Sequence, residues 1–155
     1  MSRSLIDLHP EVRWRAEKVL EAASEISIPI LIYFTLRTFA EQQALYEQGR
    51  KTPGQIVTKA KAGESYHNYG LAFDFVPTEN GKPKWGDLNS FKQVGELGES
   101  LGLQWGGRWP KFKDYPHFQL SFGFNTQELR VFYEIGGLPR VWEEISKKNE
   151  KNKWP

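Results

Sequence analysis

The chain has 155 residues, no cysteine and a formal charge of +2, with 39% hydrophobic and 14% aromatic residues. That composition predicts one globular domain over residues 1–155, able to bury about two-thirds of its unfolded surface without a covalent staple, and it excludes disulfide frameworks and thiolate metal ligands. The charge is too small and dispersed for a nucleic-acid binder, no apolar run approaches the roughly 20 residues of a membrane span, and Met1 to Pro10 lacks the apolar stretch of a signal peptide.

Glu11 to Ile26 carries Val12, Ala16, Val19, Ala23 and Ile26 at the three- and four-residue steps of one helix face. Pro10 suits the first turn, and His9 is expected to cap this helix or to lie at the surface. Ile30 to Leu36 is β-branched and aromatic and predicts a buried strand. Thr38-Phe39-Ala40-Glu41 matches a capping box, so a helix should run to about Gln48 and stop at Gly49. Arg50 to Glu64, rich in Gly, Lys and Thr, predicts a long surface loop. Leu71 to Val76 predicts a second strand, and Glu79-Asn80-Gly81-Lys82 a tight hairpin turn.

Asp87 or Asn89 is placed to cap a helix through about Leu101, ended by Gly102. Gln104-Trp105-Gly106-Gly107 reads as a turn. His117 to Phe122 predicts a third strand, with Phe118, Leu120 and Phe122 on one face and His117, Gln119 and Ser121 on the other. Thr126 to Ile135 and Pro139 to about Lys148 predict two C-terminal helices parted by Gly136-Gly137, with a frayed, charged end from Lys147 to Pro155. Helices and strands mixed without regular alternation indicate an α+β fold, a small antiparallel sheet flanked by helices.

Asp74 lies inside the apolar stretch Ala72-Phe73-Asp74-Phe75-Val76, and a carboxylate there is costly to bury unless it is paired or binds a metal. The other reading turns Asp74 toward water, a Lys or an Arg on a half-exposed strand. Of only three His residues, His67 precedes this strand and His117 opens the next. Asp114 adds a second carboxylate shortly before His117. Zinc hydrolases need that kit: three protein ligands, an open position for water, and a group to move protons. Pro116 stiffens the link from Asp114 to His117, although an Asp before a Pro also serves as a turn former. The spacings are not a generic zinc signature. On residue types alone, a metal site and ordinary polar positions stand level.

The ordered motifs Ser65-x-His67-x6-Asp74, Trp105-Gly106-Gly107 and Asp114-x-x-His117-Phe118 follow Arg37-Thr38 and Glu41-Gln42-x-x-Leu45-Tyr46-x-x-Gly49-Arg50. Over about Leu8 to Phe122 they resemble the zinc-dependent peptidases of the D-alanyl-D-alanine carboxypeptidase group (the peptidase M15 family). The likeness is strongest to the L-alanyl-D-glutamate endopeptidase branch, which includes phage endolysins and a bacterial wall hydrolase. The resemblance implies a hedgehog/DD-peptidase-like fold and one zinc ion held by His67, Asp74 and His117. It implies Asp114 as general base and then acid. Arg37 would stabilise the oxyanion or hold a substrate carboxylate, and Ser65 and Gln42 would line the substrate cleft. Outside that context Arg37 reads equally as an ion pair near a strand end.

The implied substrate is the stem peptide of bacterial peptidoglycan, cut between L-Ala and D-Glu by metal-activated water. Arg108 departs from the pattern, because an Asp often follows Trp-Gly-Gly, and is expected to alter substrate contacts. Past Phe122 no wall-binding module is recognisable, and the C-terminal helices are expected to pack on the catalytic domain. A D,D-carboxypeptidase, a D-Ala-D-Ala dipeptidase and a non-catalytic module that binds wall peptide share the same ligand set. An intact Asp114 favours an enzyme over the module. The chain is expected to be a monomer without membrane insertion. It would be held in the host cytoplasm until released to the wall, or secreted if a signal was trimmed.

Overall fold

The computed structural model describes residues 1–152. Helix α1 (Pro10–Glu25) buries Val12, Ala16, Val19 and Ala23 of the predicted stripe, but ends before Ile26, which is exposed rather than on the buried face. His9 caps it, its Nδ1 accepting from the Glu11 N–H at 3.1 Å. His9 is not at the surface: it is buried and its ring lies against Phe122 and Trp142.

Strand β1 (Ile30–Phe34) is shorter than expected and lies at the sheet edge, so Leu31 is exposed rather than buried. It ends because the backbone groups of Thr35 leave the ladder. The Thr35 N–H donates to the Ser2 carbonyl at 2.9 Å, and the Thr35 carbonyl faces His67 at 2.7 Å. Helix α2 (Phe39–Glu47) starts with the predicted capping box, closed in both directions by Thr38 and Glu41. A loop then leads to the 3-10 helix Tyr66–Tyr69.

Strand β2 (Ala72–Glu79) turns at Asn80-Gly81 into β3 (Lys82–Pro83). Both turn residues have positive φ, 52° and 76°, the conformation of a type I′ hairpin. Helix α3 (Leu88–Ser100) is capped by Asp87. Gln104-Trp105, expected as a turn, is instead the two-residue strand β4. Strand β5 covers only His117–Gln119. Positive φ at Phe122 and Gly123 turns the chain away soon after. Helix α4 (Thr126–Asn152) is broken at Gly136 and Gly137, as predicted, and stays helical beyond Lys147. Any fraying of residues 153–155 lies outside the described residues. No described helix is long and apolar enough to cross a membrane.

The sheet runs β1-β2-β5-β4, antiparallel throughout, with β3 paired to β2. Alternation splits its faces. Phe73, Phe75 and Phe118 enter the core, Phe75 stacking on Phe118 at 4.9 Å. Asp74, His117 and Gln119 point the other way. Two glycines of α3 seat the helix on the core face: a Cβ at Gly98 would overlap the ring of Phe118, and one at Gly95 would overlap Trp105. C-terminal residues Leu129, Val141 and Ile145 join the same core. The Trp142 indole donates to the Tyr69 carbonyl at 2.9 Å.

Gly98→Ala raises helix propensity by about 1 kcal/mol, yet it should destabilise the protein by about 1–3 kcal/mol through overpacking against Phe118. Urea denaturation reads the sign. A midpoint that rises would show that α3 is not seated this closely.

Candidate active site

Asp74 and His117 are directly opposed across the β2–β5 ladder, which brings both side chains to one face of the sheet. His67 arrives from a different direction, on the 3-10 helix that follows the long loop. The Ser65 hydroxyl accepts from the His67 N–H at 3.2 Å. Asn68 Oδ1 accepts from the N–H groups of Ser65 (3.3 Å) and Gly63 (3.1 Å). Its Nδ2 donates to the Arg37 carbonyl at 3.0 Å. The turn carrying His67 is therefore tied at both ends.

Asp74 Oδ1 lies 3.2 Å from His67 Nε2 and 3.3 Å from His117 Nδ1. One ligand atom from each of the three residues falls within 4.8 Å of the others, and among the described residues this is the one such cluster. The outer ring nitrogens settle which atoms face inward. His67 Nδ1 lies 2.7 Å from the Thr35 carbonyl, which only accepts, so that nitrogen carries the proton and Nε2 offers its lone pair. His117 Nε2 lies 2.8 Å from Gln119 Oε1, leaving Nδ1 toward the cluster. Gln119 is held in turn by Gln104 at 3.2 Å. Two imidazoles and one carboxylate, oriented from behind by carbonyl oxygens, fit a divalent zinc ion with an open fourth position.

Electrostatics agree with the geometry. Burial alone would raise the Asp74 carboxyl, but the His67 and His117 rings hold it well below the usual carboxylate range. Burial disfavours charge on His117, yet its hydrogen bond to Asp74 and the charges of Asp74 and Asp114 raise its pKa above the ordinary value. Asp114 behaves differently. Burial, reinforced by the charge of Asp74, lifts its carboxyl above the usual range, while His117, His67 and Arg37 pull it back. Two carboxylates pushed in opposite directions in one cleft give a fixed anion and a proton carrier.

The Trp-Gly-Gly segment places Asp114. The Gly106 carbonyl accepts from the Asp114 N–H at 3.0 Å, and the Trp105 indole donates to the Tyr115 carbonyl at 2.8 Å. A Cβ at Gly106 would overlap the Asp114 carbonyl oxygen. Glycine is required there by close approach of backbone to backbone.

Arg37 lies beside the cluster, Nη2 at 4.0 Å from Asp74 Oδ2, with its side chain 11% exposed. Burial lowers its pKa, and the nearby carboxylates Asp74, Glu41 and Asp114 oppose that shift. Its Nη1 donates to Gln42 Oε1 at 2.9 Å. Gln42, expected to line the substrate cleft, is instead fully buried. Its Nε2 donates to the Ala60 carbonyl at 2.8 Å, so it braces Arg37 and the long loop. Ser65 spends an acceptor position on the turn, and among the described residues its O–H has no acceptor. The Arg108 guanidinium is committed to Glu99 and Glu96 on α3. The supporting roles of Thr35 and Asn68 had no signal in the sequence, whereas Gly106 had one as part of the Trp105-Gly106-Gly107 motif. Gln119 also had one, because it alternates with His117 on the polar face of β5.

A family model described as D-alanyl-D-alanine carboxypeptidase matches residues 58–120. The chain is 42% identical over 129 residues to the peptidoglycan L-alanyl-D-glutamate endopeptidase CwlK of Bacillus subtilis (strain 168), covering 74% of each protein. It is 33% identical over 131 residues to the L-alanyl-D-glutamate peptidase of Listeria phage A118, across 81% of this chain but 43% of that one. Among solved structures, the L-Ala D-Glu endopeptidase ChiX of Serratia marcescens aligns with a TM-score of 0.56 at 27% identity, over 78% of this chain and 88% of that one.

The metal-free cluster has a defined pH window. The raised His117 contributes stability that is full below the ordinary imidazole value of about 6.5 and is lost as pH rises through its higher folded value. The depressed Asp74 contributes above about 3.9, and its share is lost as pH falls toward its lower folded value. Zinc competes for the same lone pairs and requires neutral imidazoles. The rise in Tm on adding Zn(II) should therefore be larger at about pH 7.5 than at about pH 5.5. Equal increments, read by differential scanning calorimetry, would exclude His67 and His117 as the ligands.

Proposed function

The chain belongs to the peptidase M15 family, and from that membership we propose that it is a zinc-dependent peptidase that hydrolyses the L-Ala–D-Glu bond of peptidoglycan stem peptides. The observation that carries the reading is the convergence of His67, Asp74 and His117 beside a carboxyl, Asp114, that burial keeps ready to take up a proton. The bond assignment is supported by the identity to two L-alanyl-D-glutamate peptidases.

His67 Nε2, His117 Nδ1 and Asp74 would hold the zinc. When bound, zinc would lower the pKa of a coordinated water to about 7 and polarise a carbonyl oxygen. Asp114 accepts the proton of the attacking water and returns it to the departing amine. Its upward shift makes it a stronger base than an exposed aspartate and a competent acid for the second transfer. Arg37 faces the cleft through Nη2, because Nη1 is held by Gln42. It balances negative charge on the carbonyl oxygen or on the α-carboxylate of D-Glu. The Ser65 O–H is free to meet a polar group of the peptide. Residues 1–155 act as one catalytic domain in this reading. The phage relative favours a lytic role, with release to the wall from the cytoplasm of a host.

Peptidoglycan digested with the zinc-loaded protein and analysed by mass spectrometry should yield fragments with a new amino end at D-Glu, and a chelator should abolish them. Loss of terminal D-Ala alone would move the assignment to a carboxypeptidase. Asp114→Asn should lower kcat by about 10²–10⁴-fold with zinc content unchanged. A variant that keeps near-normal turnover would remove Asp114 from the mechanism.

A further inference from the structure

One feature of the cleft is made by an irregularity in the sheet rather than by a motif. Along β1 and β2 the pairs are Ile32 with Phe75 and then Phe34 with Asp74, so Tyr33 is an extra residue on β1. Successive side chains of a regular strand point to opposite faces. Here the rings of Tyr33 and Phe34 lie 4.9 Å apart, centroid to centroid, and meet edge to face. The bulge has turned both onto one side, a device found beside active sites because it re-aims a side chain. That side is the one Asp74 occupies, since Phe34 is its cross-strand partner. The Arg37 guanidinium lies over the Phe34 ring at 6.0 Å.

Tyr33 is also held from outside. Trp85, which follows β3 and is 56% exposed, packs edge-on against its ring at 5.3 Å. Phe34, Tyr33 and Trp85 thus form a wall that leads from the metal-ligand carboxylate to solvent. The hydroxyl at the end of Tyr33 lies within the field of the site: burial first, and then the charges of Asp74 and Asp114, resist its ionisation, while Arg37 favours it. Tyr66 and Tyr69 spend their hydroxyls on backbone carbonyls, of Phe124 at 2.6 Å and Gly63 at 2.7 Å. Among the described residues the Tyr33 hydroxyl has no hydrogen-bond partner. Its ring is fixed on two sides and its donor is left over.

We infer that Tyr33 is a substrate-binding residue, whose neutral O–H donates to a carbonyl or carboxylate oxygen of the stem peptide alongside Arg37. The inference rests on the proposed peptidase activity. An acceptor oxygen is the fitting ligand because the O–H donor of Tyr33 is unspent among the described residues, and burial keeps that hydroxyl protonated. A single neutral hydrogen bond of this kind corresponds to about a three- to tenfold change in affinity.

Tyr33→Phe keeps the ring, and with it the packing on Phe34 and Trp85. In the zinc-loaded enzyme it should lower kcat/KM by about three- to tenfold, mainly through KM, with zinc content and Tm unchanged. Two substrates identify the acceptor. A loss confined to a peptide with a free α-carboxylate on D-Glu assigns the carboxylate. An equal loss on the α-amidated peptide assigns a carbonyl. Kinetics within twofold of the parent on both peptides would overturn the inference while leaving the peptidase activity standing. A parent that cuts neither peptide would remove both.

Discussion

The structure depends on where one carboxylate is placed. Asp74 sits between Phe73 and Phe75 on a central strand whose neighbours fill the core, and its charge can be kept there only if partners meet it. Two imidazoles do so through the same oxygen, Oδ1. Each partner requires a separate piece of architecture. His117 requires the β2–β5 register, because a slip of one residue would turn it into the core and Phe118 out of it. His67 requires a capped turn at the end of a long loop. The core face of the sheet and the site face are two sides of one alternation, so the packing of Phe75 on Phe118 also fixes the site.

Behind these residues stands a second layer made mostly of backbone. The carbonyl of Thr35, the carbonyl of Gly106 and the Ala60 carbonyl that receives Gln42 each orient one functional side chain. Backbone acceptors move only if the fold moves, so the donors of the site are pre-positioned rather than assembled on demand. The two aspartates differ in what surrounds them. Asp74 is surrounded by imidazoles and stays ionised, while Asp114 is buried with less compensation and holds its proton more readily.

Local signals in the sequence were read correctly. The Thr38–Glu41 capping box, the Asn80-Gly81 turn, the Gly136-Gly137 break and the α1 stripe from Val12 to Ala23 depend on neighbours a few residues away, and each appears where its spacing placed it. His67, Asp74 and His117 were singled out by the ordered motifs of the family resemblance, and the structure brings these three into one cluster. What was misread depends on distant pairing. Gln104-Trp105 becomes a strand only because β5 lies beside it. Gln42 is enclosed because Ala60 folds back over it. The bulge at Tyr33 exists only in the register between β1 and β2, and nothing in Ile30 to Phe34 marks it. Leu31 is exposed because β1 is an edge strand, a property of topology rather than of residue type.

The central claim is that His67, Asp74 and His117 form one zinc site. Crystals of the zinc-loaded protein, measured at the zinc absorption edge, test it most directly. The account predicts a single anomalous peak between the three residues, about 2.0–2.2 Å from His67 Nε2, His117 Nδ1 and an oxygen of Asp74. A peak elsewhere, or bonding through His67 Nδ1 with the Thr35 contact broken, would contradict it.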